Sequence, residues 1–308
     1  PLLLVIGVQK GGTTNLRFNL LQHPQLSGAR REVHFFDERF SFVAELGMNG
    51  TTPLPANVAA QLLINDGSGG SDGGSDDGSD RGGKSDHGCF AIDVSPRYVF
   101  HPAVPYRVRA LLPHVRIVVL LRDPVARYFS ELSMYICRGY GVVPHAAPAI
   151  FPLAGMVPRY LEAARKAYAP YDELCRGPAA AAADLWACKV NATEFEPLAR
   201  GLYADQLERW FSLFPRSQIV VLDSNELFAN FTGVLDRVTA FAGLPPFPYR
   251  YDPSHQSPDI MCRPGRKAAA AARQAEMTAA GDEALLREYY APHNERLFRL
   301  IGRDLGWN

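Results

Sequence analysis

An unbroken apolar run, Leu2-Leu3-Leu4-Val5-Ile6, leads straight into Gly7-Val8-Gln9-Lys10-Gly11-Gly12-Thr13-Thr14, and a helical pattern follows. Few folds accommodate that order. A run apolar at every position reads as a strand buried on both faces, as in a parallel sheet. A glycine turn that opens a helix gathers backbone N–H groups and the positive end of the helix dipole at one point. Such a turn binds anions. Gly7 and Gly12 have the G-x-x-x-x-G spacing of a phosphate loop. One feature departs from the nucleotide-triphosphatase form. Thr13-Thr14 follows the second glycine where Lys-Ser/Thr is usual, and the lysine stands earlier, at position 10.

The rest of the chain repeats the strand-then-helix theme. Apolar runs at Phe90–Asp93, Arg116–Leu121 and Gln218–Leu222 read as strands. Helical patterns cover Thr13–His23, Val104–Leu112, Pro124–Arg138, Gly201–Phe214, 224–229, 231–242 and 278–301. Residues 30–37 read as a short strand or turn, 38–64 as irregular helix and loop, and 244–267 as a proline-rich loop. Buried strands separated by helices predict an α/β fold of the P-loop type: three layers, with a central parallel sheet covered by helices. The 47% hydrophobic content supplies a core for one domain over 1–308. Two insertions interrupt it. The Gly/Ser/Asp tract at 65–88 is too polar to offset its ordering entropy and reads as disordered. Its Asp-Gly repeats admit a calcium-binding reading, against which the irregular period counts. The Ala/Pro-rich segment around 139–197 reads as a variable insertion, helical in parts.

Charge and cysteines bound the function. Lys+Arg and Asp+Glu are both 32, which argues against nucleic acid or another polyanion held by overall charge. A local basic cleft stays allowed. No apolar run approaches the roughly 20 residues that span a bilayer. Attachment to a membrane is therefore expected only through an anchor outside this sequence. Cys89, Cys137, Cys175, Cys188 and Cys262 form no C-x-x-C pair, which argues against zinc. Cys175 and Cys188 flank an Ala-rich stretch that they could close. Sequons at Asn49, Asn191 and Asn230, with the cysteines, lean toward a secretory lumen.

Ligands of such sheets sit at the carboxyl ends of the strands. Arg122 directly follows the 116–121 strand, and Ser130 lies two turns into the next helix. A cation and a hydroxyl so placed can converge on one phosphate. The competing reading pairs Arg122 with Asp123 or with a helix end.

Taken together, these stretches resemble the sulfotransferase family. The loop from Gly7 to Thr14 is similar to its 5′-phosphosulfate loop, and Arg122-Asp123-Pro124 with Arg127 and Ser130 to its 3′-phosphate motif. Arg31-Glu32-Val33-His34-Phe35-Phe36-Asp37 resembles the catalytic-base segment of the heparan sulfate branch. Gly201-Leu202-Tyr203 also matches that branch, Cys262-Arg263-Pro264-Gly265-Arg266-Lys267 resembles its basic Gly-Arg cofactor loop, and the closing 301–307 stretch its C-terminus. The resemblance implies 3′-phosphoadenosine 5′-phosphosulfate as donor, a glycan or polysaccharide acceptor, a Golgi location and no required metal. It assigns Lys10, Gly11, Gly12, Thr13 and Thr14 to the phosphosulfate, and Arg122 and Ser130 to the 3′-phosphate. Gly265, Arg266 and Lys267 would close over the donor. Glu32 is the implied base, with His34 the runner-up. Tyr203 and Trp210, seven residues apart on one helix, read as a core stripe, with adenine contact by Tyr203 as the alternative. Asp93-Val94-Ser95-Pro96-Arg97-Tyr98 departs from the branch, which has lysine where Val94 stands; Arg97 partly replaces the charge. The acceptor is therefore expected to be a carbohydrate or glycoprotein glycan, not heparan itself. Two rivals compete with this reading: a P-loop nucleotide kinase or ATPase, and a non-catalytic phosphate- or glycan-binding protein on the same fold.

Overall fold

The computed structural model describes residues 2–29, 31–40, 52–64, 90–138, 154–164, 196–252, 262 and 265–307. Five strands form one parallel sheet: β1 (Leu2–Gly7), β2 (Leu26–Gly28), β3 (Phe90–Val94), β4 (Arg116–Leu121) and β5 (Ile219–Asp223). Their order is β2-β3-β1-β4-β5, so the strand that opens the chain is central. Leu4 sits beside Asp93 on one side and Ile117 on the other.

Strand alternation explains the continuous apolar runs. Leu4, Ile6, Ile117, Val119 and Leu121 feed one core, while Leu3, Val5, Val118 and Leu120 feed the other. The first core packs α3 (Val104–Leu111), α7 (Tyr203–Leu213) and the end of α11 (Asp282–Ile301). The second packs α1 (Thr13–Leu20), α8 (Ser224–Ala229) and α9 (Phe231–Ala242). A third cluster joins α4 (Pro124–Arg138) to α5 (residues 157–164), α10 (Arg266–Ala279) and α11. Among the described residues, α2 (Ala56–Ile64), the short α6 (Glu196–Ala199) and a 3-10 turn at Arg216–Gln218 complete the helices.

The predicted class and the four long strands agree with this architecture. Two local readings need correction, and one short strand has no reading. The loop after β5's helices ends at Gly265, and Arg266–Ala279 is helical; its five consecutive alanines favour a helix that the proline-rich flank obscured. The closing helix begins at Asp282, behind a left-handed Gly281. β2, three residues long, is too short to carry a periodic signal. Asn230, of the third sequon, caps α9 by accepting from the Gly233 N–H at 3.2 Å. The 65–88 tract, Cys175, Cys188, Asn49 and Asn191 lie outside the described residues.

Candidate active site

Three hydrogen bonds, one of them internal, fix the loop leaving β1. The Val8 N–H donates to the Leu120 carbonyl at 2.8 Å, and the Gly11 N–H to the Val8 carbonyl at 2.9 Å. The Ser224 hydroxyl donates to the Gly11 carbonyl. Lys10 and Gly12 take φ of 70° and 95°. Left-handed residues interspersed with others are the backbone pattern of an anion-binding nest. At Gly11 a Cβ would lie 2.8 Å from the Leu120 carbonyl oxygen and 2.9 Å from that of Val8, so only glycine fits. The first turn of α1 has no side-chain cap and no acidic residue. Its leading N–H groups therefore lack intrahelical acceptors, and its positive end is uncompensated. Thr13 is buried in that turn and Thr14 is exposed.

Two cations flank the loop. Arg122, at the end of β4, donates from Nη1 to the Lys10 carbonyl at 2.8 Å. Tyr203 donates its hydroxyl to the Arg122 carbonyl, also at 2.8 Å. Tyr203 is itself fully buried, with Trp307 against its ring; it reaches the site through the Arg122 backbone. Burial and the neighbouring Arg122 hold the Lys10 amine below its ordinary range, while Glu131 opposes them. An oxyanion bound there would push that amine back up. Arg127, from the same stretch as Arg122, turns into the core. It is buried with Glu131 at 2.6 Å and bonds the Pro197 carbonyl.

Ser130 is half-buried on α4, the helix that follows Arg122. The far end of α4 is tied to the late basic stretch. Cys137 is disulfide-bonded to Cys262, and Arg266 donates to the Cys137 carbonyl at 3.2 Å. Gly265 and Lys267 are exposed at the start of α10. Arg263 and Pro264 lie outside the described residues.

The base segment forms a cluster. His34 Nε2 is 2.9 Å from Glu32 Oε2, and Nδ1 is 3.0 Å from Asp37 Oδ2. Burial alone would lower the imidazole pKa; the bonds to Asp37 and Glu32 outweigh it and raise it to about 10. His34 is thus an imidazolium at neutral pH, donating from both nitrogens, with no lone pair to accept a proton. Asp37 is pushed up by burial but held below its ordinary range by His34. Glu32 is the more exposed carboxylate, at 36% against 1% for Asp37.

A hydrogen-bonded hub beneath the cluster locks it in place. The Asp93 carboxylate, 1% exposed, accepts from Ser95 Oγ at 2.7 Å and from the Tyr98 hydroxyl at 2.8 Å. Ser95 Oγ in turn accepts from the His34 N–H at 3.1 Å, and the Tyr98 hydroxyl from the Phe36 N–H at 3.3 Å. The same turn is bonded to β1: Ser95 N–H to the Val5 carbonyl at 3.1 Å, Val99 N–H to the Ile6 carbonyl at 2.8 Å. The anion loop and the carboxylate–imidazolium cluster are therefore fastened to one strand end. Sequence reasoning missed Asp37, Asp93, Ser95 and Tyr98 as members. Asp37, three residues from His34, carried a signal; Asp93, a charge ending an apolar strand, carried another.

Among the described residues, His34, Asp37 and Glu38 bring potential metal-ligand atoms within 4.8 Å of one another. Each already has a partner, Asp37 in His34 and Glu38 in Arg97. Arg97 is paired with Glu38. No helix among the described residues is long and apolar enough to cross a membrane.

The chain has known relatives. A family described as the sulfotransferase domain matches residues 1–256. The mouse heparan sulfate glucosamine 3-O-sulfotransferase 5 is 23% identical over 318 residues, covering all of this chain and 74% of the relative. The human heparan sulfate glucosamine 3-O-sulfotransferase 6 is also 23% identical, covering 73% of its own length. A crystal structure of a sulfotransferase from Alicyclobacillus acidocaldarius shares the fold, with a TM-score of 0.55 at 21% identity, over 99% of this chain and 97% of that one. With the family matched across most of its length, the chain belongs to the sulfotransferases.

Proposed function

We propose that the enzyme moves a sulfuryl group from 3′-phosphoadenosine 5′-phosphosulfate to a hydroxyl or amine of a carbohydrate or glycoprotein glycan. One observation carries the reading: the cationic loop and the Glu32–His34–Asp37 cluster are fixed to the same end of β1 through residues 95–99. The residues fit such a donor. The open α1 N-terminus and Lys10 suit its 5′-phosphosulfate, and Arg122 with Ser130 suits its 3′-phosphate. Arg266 and Lys267 begin a helix tethered to the helix of Ser130, where they can close over the donor.

The chain's groups divide the work of an in-line transfer. Glu32 takes the proton of the acceptor group as its oxygen or nitrogen attacks sulfur. The His34 imidazolium orients Glu32, and Asp37 orients His34. The sulfur–oxygen bond to the 5′-phosphate breaks, and its electron pair stays on the phosphate. Lys10, Thr13 and the first N–H groups of α1 receive that charge. The relatives named for heparan sulfate support a sugar acceptor. Residues 1–308 are read as one such domain. The Cys137–Cys262 disulfide supports an oxidising compartment such as the Golgi lumen.

Incubating the purified chain with labelled donor and a panel of neutral and sulfated polysaccharides tests the reading. Transfer to at least one glycan, with 3′,5′-ADP as product inhibitor, is expected. Preferential, magnesium-dependent binding of ATP over 3′,5′-ADP would overturn it in favour of a nucleotide kinase. Donor binding without turnover on any glycan would favour a binding protein.

A further inference from the structure

Arg17 stands on α1 one turn beyond Thr13. It is only 8% exposed, and neither Nε nor Nη1 has a hydrogen-bond partner. Its guanidinium carbon lies 4.8 Å from the Phe18 ring centroid. Interiors seldom leave such donors unmet. α1 packs against β3, the strand of Asp93, and the charges of Glu32 and Asp93 both act on Arg17. Long helical side chains lean toward the helix N-terminus, here toward Thr13 and the loop. Neither carboxylate satisfies the guanidinium. Glu32 is bonded to His34, and Asp93 to Ser95 and Tyr98. Val94, next to Asp93, offers no charge of its own, and Arg97 is committed to Glu38.

We infer that Arg17 is an oxyanion-binding residue of the transfer site, taking a sulfate-type group between the loop and Glu32. A planar fork of N–H donors matches the oxygens of such a group. The inference rests on the sulfuryl-transfer reading. Two sources share the chemistry: the sulfuryl group in transit, or a sulfate already on the acceptor.

Arg17→Met and Arg17→Lys, made in the full chain, test it. Inorganic sulfate is titrated in the presence of 3′,5′-ADP and the melting temperature followed. In Arg17→Met, half-maximal stabilisation is expected at about tenfold more sulfate, with affinity for 3′,5′-ADP alone unchanged. Arg17→Lys, which keeps the charge and loses the fork, is expected to fall between, and it serves if the methionine variant does not fold. Kinetics then separate the sources. If the group is the sulfuryl in transit, kcat drops about 10²-fold on every acceptor at constant acceptor KM. If it is an acceptor sulfate, KM rises on sulfated glycans only. A sulfate response and kinetic constants within about twofold of wild type in the folded variants would leave Arg17 a buried counter-charge and overturn the inference. A wild-type chain without turnover would remove the sulfotransfer reading, while the sulfate titration would still decide Arg17.

Discussion

Arg122 Nη1 donates to the carbonyl oxygen of Lys10 at 2.8 Å, so the cation at the end of β4 holds the backbone of the loop after β1. The two positive groups of the proposed donor site are thus linked by a hydrogen bond. Arg122→Ala is therefore expected to do more than weaken the donor. Donor KM should rise about tenfold from the lost charge-assisted bond, and kcat should fall as Lys10 loses its support. Steady-state kinetics with saturating acceptor measure both. An unchanged kcat would confine Arg122 to donor affinity. Lys10→Ala is expected to cost about 10²-fold or more in turnover, and a wild-type rate would remove it from the mechanism.

Gly11→Ala tests the packing of the loop. Its new Cβ would meet two backbone carbonyl oxygens within 2.9 Å, on Leu120 and Val8, and neither can rotate away. The loop must shift, at a cost of about 1–3 kcal/mol. Loss of measurable donor binding together with a lowered denaturation midpoint is the expected result. A stable variant with normal donor affinity would show that the loop tolerates a side chain there.

Glu32→Gln is expected to lower kcat about 10²-fold with little change in donor affinity. His34 adds a pH signature. Its folded pKa, about 10, lies above the ordinary 6.5. The pairing therefore stabilises the fold fully below about pH 6.5 and is lost as pH rises through about 10. Denaturant titrations of wild type and His34→Gln from pH 6 to above 10 should show a stability gap that closes at the alkaline end. A gap independent of pH would mean that the imidazolium contributes nothing through its charge.

Asp93 is the anchor of the base segment. Ser95→Ala removes the bond from Asp93 to the His34 backbone while leaving the Tyr98 arm intact. A drop in kcat at constant donor KM, with the fold retained, is the expected outcome. Burial, opposed by the Ser95 and Tyr98 bonds, raises the Asp93 pKa to about 6. The acid limb of the kcat profile should therefore move in Ser95→Ala, which a purely structural role of Ser95 would not cause.

The Cys137–Cys262 disulfide joins positions 125 residues apart and anchors the start of α10 to the helix of Ser130. Its loss, by reduction or Cys137→Ser, is expected to cost about 2–5 kcal/mol and to raise donor KM more than it lowers kcat. Equal donor KM before and after reduction would uncouple the bridge from donor binding.

Local chemistry made much of this legible before any coordinates. Leu2–Ile6 and Arg116–Leu121 are apolar at every position, which only a strand covered on both faces can use, and Gly7 to Thr14 spells an anion loop by glycine spacing alone. Lys10 and Arg122 could be named because each sits beside such a local signal; Glu32 and His34 came only from the family resemblance of the 31–37 segment. What the sequence left open depended on partners far along the chain. Cys137 meets Cys262, Tyr203 supports Arg122, and the Asp93 carboxylate fixes the backbone of His34 through Ser95. The imidazolium state of His34 and the unpartnered burial of Arg17 likewise arise from desolvation and from charges that only folding brings close. Residue types and spacing determined the sheet and the loop; tertiary burial decided which of the nearby ionisable groups are charged, paired or free to act.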